Sequence, residues 1–164
     1  MDPSHNPLRP TREAPTDAGR HLPTREALTD AGWFSGRAVD ITAWEAELTA
    51  DGFPPLHTVA RRFLTEFGGL RFPHCGAGVT RAREHFTLTP TDCLGEADGF
   101  IEWGADIGRD IAPIGELAGG TCAWTSLGID ETGEIYAISG LSTFGRLPQA
   151  LDHLVLGYMP RAVA

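Results

Sequence analysis

The sequence predicts an α+β domain, a mostly antiparallel sheet with helices packed on it, and three observations carry the prediction. Apolar residues recur at helical spacing in two front segments, around Ile41–Leu48 and Leu56–Phe67. Two β-rich runs follow, at 122–129 and 134–139, joined by the four-residue turn Asp130-Glu131-Thr132-Gly133. A last helical stripe comprises Leu147, Leu151, Leu154, Val155 and Tyr158. Helices, a strand meander and a final helix make the order of an α+β layer rather than of alternating βαβ units.

Each element has its own signals. Pro10–Gly19 recurs as Pro23–Gly32 with one change in ten, and only the second copy runs on into an apolar anchor, Trp33-Phe34. Pro15 of the first copy disfavours a helix where the second copy carries Leu28. Copy two therefore reads as the first helix, with residues 1–22 a poorly ordered leader and 23–164 the domain. Ile41, Trp44 and Leu48 follow Asp40 in a helix that Gly52 ends. Leu56, Val59, Ala60, Phe63, Leu64 and Phe67 form an amphipathic stripe closed by Gly68-Gly69. Leu70-Arg71-Phe72 reads as a short strand, and Pro73 opens a loop. The alternation in His85–Thr89 predicts another strand. Thr89-Pro90-Thr91-Asp92 has the cap, proline and acid of a helix start, and the segment to Asp110 is helical in part. Ile111–Leu117 is a short strand or turn. Trp33, Trp44 and Trp124 are assigned to the core.

Composition narrows the function. Of 164 residues, 41% are hydrophobic and 21% charged, which suits one globular domain. All 13 basic residues are arginine, a bias that matches a GC-rich bacterial genome. Apolar runs are too short to span a bilayer, and no Sec-type signal is expected, so a cytoplasmic location is. Cys75, Cys93 and Cys122 form no metal-binding pair and fit a reducing compartment as buried or incidental thiols. Residues 1–37 are balanced in charge, whereas 38–164 carry eight arginines against 17 acids, giving a net charge of −9. Such a domain repels nucleic acid and anionic membrane and attracts basic partners.

Chemical motifs are scarce. Gly140-Leu141-Ser142-Thr143-Phe144 lacks the second glycine of a nucleophile elbow. The spacing of His74, Cys75, His85 and Cys93 matches no common zinc motif. Gly76-Ala77-Gly78 leads to Arg81 where a phosphate loop would need glycine. No catalytic residue, metal or cofactor is therefore expected, and the chain is taken as a non-enzyme.

The acidic stretch is the functional signal. Between Asp92 and Glu134 stand ten carboxylates against Arg109 alone. Asp98, Glu102, Asp106 and Asp110 fall at four-residue steps, which on a helix would make one column of like charge. A solvated acidic face explains such a column; so does a basic partner that neutralises it on binding. Trp103 within the stretch favours an interface, since Trp is enriched among binding hot spots. The candidate contact residues are Asp98, Glu102, Trp103, Asp106, Asp110, Asp130 and Glu131.

Four ordered blocks then carry a resemblance. Ala31–Asp40 (AGWFSGRAVD), Phe63–Leu70 (FLTEFGGL), Ile111–Glu116 (IAPIGE) and Leu127–Tyr136 (LGIDETGEIY) are similar to the third subgroup of the SUKH immunity-protein superfamily, over about residues 28–158. The resemblance implies a SUKH-like α+β fold. It also implies a bacterial immunity protein that binds and neutralises a cognate polymorphic toxin, often a nuclease or nucleic-acid deaminase. The matching blocks are mainly framework, with Trp33, Phe63, Phe67, Gly68 and Gly69 as packing and turn positions. Two alternatives stay open: a scaffold or regulatory protein-binding module of the same superfamily, and a small hydrolase using clustered carboxylates. The partner expected from charge and resemblance together is a basic toxin domain.

Overall fold

The computed structural model describes residues 22–119 and 123–163. In chain order these form α1 (Leu22–Asp30), α2 (Thr42–Asp51), α3 (Thr58–Phe67), β1 (Arg71–Phe72) and β2 (Phe86–Thr87). A 3-10 turn (Pro90–Cys93), α4 (Ala97–Ile107), β3 (Ala112–Gly119), β4 (Ala123–Ile129), β5 (Glu134–Ala137), β6 (Ser142–Arg146), α5 (Gln149–Leu156) and β7 (Arg161–Ala162) follow. Apart from Leu22, the segment assigned to the leader lies outside the described residues, as does Cys122. Among the described residues no helix is long and apolar enough to cross a membrane.

The front helices begin and end where short polar and glycine signals stand. α1 is built from the second copy of the repeat and buries Thr24, Ala27 and Leu28 on one face. Trp33 is buried as expected, but its neighbour Phe34 is 60% exposed and anchors nothing. Asp40 accepts hydrogen bonds from the Thr42 amide and hydroxyl at the start of α2, and Gly52, at φ 103°, ends it. α3 starts at Thr58, two residues after its apolar stripe begins, and Leu56 lies buried ahead of the helix. His57 caps it: Nδ1 accepts from the Ala60 amide, so Nε2 carries the proton and donates to the Ile129 carbonyl. At the other end the Arg37 guanidinium donates to the carbonyls of Glu66 and Gly68, both at 2.7 Å, supplying cationic donors where the helix leaves acceptors over.

The seven strands form one antiparallel meander in the order β1-β2-β3-β4-β5-β6-β7. The register sorts side chains between two faces. Phe72, Phe86, Leu117, Leu127, Ile129, Ile135 and Ala137 share one face, all buried. Thr87, Glu116, Trp124, Ser126, Gly128 and Tyr136 share the other. This apolar/polar division is how an antiparallel sheet buries one side. α5 packs against β6, α1 against α5, and α3 against β3.

Three elements differ from expectation. β3 is a full eight-residue strand, accommodating Pro113 because the register shifts between Pro113 and Gly115, where a missing N–H breaks no regular ladder. β6 and β7 were not anticipated. β6 follows one positive-φ glycine, Gly140 at φ 80°, and contains another, Gly145 at φ 90°, and it is too short and polar to show alternation. Finally, Trp124 is 52% exposed rather than core, since it shares the polar face with Ser126.

The polar face is partly covered. The 3-10 turn lies against β3 and β4, with the buried Cys93 thiol donating to the Gly115 carbonyl at 3.1 Å. Burial pushes this thiol up to about 12, so it stays neutral and unreactive. Phe100 of α4 comes down over Gly128: a Cβ there would sit 3.0 Å from the ring and 2.5 Å from Ile111 Cγ2. Phe100 also meets Phe53 edge-on, at 5.3 Å between centroids. Gly128 thus makes room for α4 on the sheet. Gly128→Ala is expected to cost about 1–3 kcal/mol through overpacking. Gly99→Ala, within α4 and no closer than 4.0 Å to its neighbours, should instead stabilise by about 0.5–1 kcal/mol through backbone entropy. Urea midpoints at unchanged slope measure both.

Candidate protein-binding surface

α4 supplies the outward acidic face. Its inner side buries Ala97, Phe100 and Gly104, with Trp103 and Ile107 partly buried against the same core. Its outer side exposes Asp98, Glu102 and Asp106, one helical turn apart in succession, with Ile101 48% exposed beside them. Among the described residues no arginine lies within ion-pair distance of these three carboxylates. Uncompensated like charges at this spacing weaken a helix by a few tenths of a kcal/mol per pair. The helix is held instead by Phe100 and by its glycine end, Gly108 at φ 66°.

The four-step column expected from the sequence stops at three. Gly108 ends α4, so Asp110 lies beyond the helix, where its backbone amide donates to Glu131 Oε2 at 3.0 Å. Asp110 and Glu131 are both exposed, and they flank the helix end rather than continuing its face. Glu131 Oε1 lies 3.7 Å from Arg109 Nη1, so this acid is partly compensated. Trp103 is half-buried against the core, and the exposed tryptophan is Trp124.

Asp130 is not on the surface at all. Its side chain is 0% exposed and its oxygens are occupied. Oδ1 accepts from the Thr132 amide at 2.8 Å, the Thr132 hydroxyl at 2.7 Å and the Glu134 amide at 3.0 Å. Oδ2 accepts from the Tyr136 hydroxyl at 2.9 Å and lies 3.8 Å from Arg109 Nε. An Asp at the first position of a tight turn folds back onto the amides two and four residues on, which removes it from any contact role. Burial acts to raise its pKa, but the hydrogen bonds from Thr132, Glu134 and Tyr136 outweigh it and hold the carboxyl below 3.8. The same burial, with Asp130 as acceptor, pushes the Tyr136 hydroxyl well above its ordinary range.

Glu116 behaves oppositely. It stands half-buried on the polar sheet face, and desolvation first, then the nearby charge of Asp92, raises its pKa above 4.5. Asp92 itself accepts from the Thr87 hydroxyl at 2.6 Å. Glu134 is tied inward, accepting from the Thr143 hydroxyl at 2.7 Å with Arg146 Nε at 3.8 Å. Among the described residues no group of three or more His, Cys, Asp or Glu is arranged to hold a metal ion. Cys75 is exposed and Cys93 buried, both as free thiols.

The arrangement is that of an α+β domain whose single antiparallel sheet carries an acidic helix with an unpaired outer side. The chain belongs to the SUKH-3 immunity protein family, whose model matches residues 21–157. Membership of an immunity family implies binding of a cognate toxin protein. No curated protein matches the chain. No solved structure matches it either.

Two stability changes of opposite sign follow. Asp130→Asn should cost about 2–3 kcal/mol at neutral pH, because a charged acceptor is lost among buried donors. The folded-state pKa is depressed, so the wild-type contribution is present above pH 3.8 and lost as pH falls through the lower folded value. The variant should therefore show a shallower acid limb in pH-dependent denaturation. Glu116→Gln should raise stability at neutral pH. Here the folded pKa is raised, so the penalty of the charged form is complete above that pKa and absent below 4.5. The gain should vanish in acid, as paired melts at the two pH values would register.

Proposed function

We propose that the chain is a cytoplasmic immunity protein that neutralises a basic toxin domain stoichiometrically, with the outer side of α4 as its contact surface. The observation that carries this is the set Asp98, Glu102 and Asp106, exposed without arginine partners on a chain of an immunity family. A nuclease or nucleic-acid deaminase lines its cleft with cations to hold phosphate, and a column of carboxylates occupies that cleft as a competitor. Exposed Ile101 supplies apolar contact next to the column, as an interface centre requires. Asp110 and Glu131 extend the negative potential at one end, whereas Asp130 acts only as scaffold. Neutralisation then proceeds by steered encounter followed by steric and electrostatic blocking, with no cofactor.

The decisive experiment pairs the protein with a toxin domain that co-purifies with it from its native host. The triple variant Asp98→Lys, Glu102→Lys, Asp106→Lys should associate roughly tenfold or more slowly at low salt and lose most of its salt dependence. Stopped-flow association across ionic strengths reads both. Kinetics unchanged from wild type would remove α4 from the contact, and an unprotected toxin in the presence of wild-type protein would remove the immunity reading for that pair.

A further inference from the structure

α4 leaves one part of the polar sheet face uncovered. There a recess of about 310 Å³ opens between the 3-10 turn and the β3–β4 end of the sheet. Glu116 and Ser126 form its floor, adjacent across the β3–β4 ladder. Asp92 and Glu96 stand on the wall beside the turn, and exposed Leu94 and Trp124 stand at its rim. None of the three carboxylates has an arginine within ion-pair distance among the described residues. The Trp124 side chain is 52% exposed, and its ring meets the His85 imidazole at 5.9 Å between centroids and 89° between planes.

We propose that this uncovered sheet face receives an arginine side chain projecting from the protein partner. Three features specify that occupant. Three carboxylates around one opening, none paired with an arginine among the described residues, favour a cation. A planar guanidinium can hydrogen-bond two oxygens at once, which a carboxylate floor and wall offer and a point-like ammonium uses less well. Its flat face stacks on an indole, while Leu94 covers the methylene stem. The raised pKa of Glu116 agrees with this: the site keeps an acid that is poorly solvated without a cation and better placed with one.

The inference rests on the reading of the chain as a binder of a basic protein and names a subsite for it, at the turn that leads into α4. Its test needs no toxin. Full-length protein is titrated with the blocked peptide acetyl-Gly-Arg-Gly-amide, with the neutral citrulline analogue and with the lysine analogue, while the Trp124 indole and Ser126 amide resonances are followed. The arginine peptide should shift both resonances saturably with half-saturation of about 1–10 mM, the strength of one charge-assisted stacked contact. The lysine analogue should bind more weakly and the citrulline analogue should give no saturable shift. Glu116→Gln should weaken arginine binding by about tenfold, the loss of one charge-assisted hydrogen bond. Trp124→Ala, followed through Ser126, should weaken it too. The triple α4 variant should still bind the peptide saturably and in preference to its citrulline analogue, so failure here and failure of the α4 contact are told apart. Absence of a saturable shift, an equal response to citrulline, or unchanged binding by Glu116→Gln would overturn the proposal.

Discussion

Most of the surface geometry depends on one carboxylate that never reaches it. Asp130 sits buried in the β4–β5 turn and gathers donors from Thr132, Glu134 and Tyr136. Left without those donors, a buried carboxylate would force the turn open or take up a proton. With them, it fixes the hairpin register, and Tyr136 is pinned on the polar face. Through Arg109, just past the end of α4, it also holds the C-terminal end of that helix near the hairpin. Glu131 reinforces the same link by accepting from the Asp110 amide. The C-terminal end of α4 is thus tied to the hairpin, while Phe100 seats the helix on the sheet.

The charge balance is therefore divided by position. Carboxylates near the hairpin are absorbed internally, Asp130 by its turn donors and Arg109, and Glu134 by Arg146 and Thr143, while exposed Glu131 is shared in part with Arg109. Those on the outer side of α4 and around Glu116 are not. The absorbed acids contribute fold; the others contribute field. A single arginine relocated to the outer face of α4 would weaken that field while leaving the hairpin intact.

Much of the fold was legible because its signals are local. The stripe Ala60, Phe63, Leu64, Phe67 is helical by spacing alone, Gly52 and Gly68-Gly69 mark ends, and Asp130–Gly133 spells a turn. β6 and β7 were not legible, since a strand of two to five residues between glycines and prolines exists only through its pairing partner. The surface was half legible. Asp98, Glu102 and Asp106 stand where the helical period puts them. Asp110 fell away because Gly108 ended the helix first, and Asp130 because a turn aspartate prefers its own backbone. Trp124 was misplaced by residue type. Its position in β4, two steps from Ser126 and four from Gly128, already set it opposite buried Leu127 and Ile129. Periodicity carried that information, and hydrophobicity hid it.

The meander ends on both sides in strands of only two residues, β1 and β7. Among the described residues each margin therefore presents a short edge, a poor template for a foreign strand or for a second copy. Recognition is thereby pushed onto faces and side chains. Margins this short have little backbone to be sticky with.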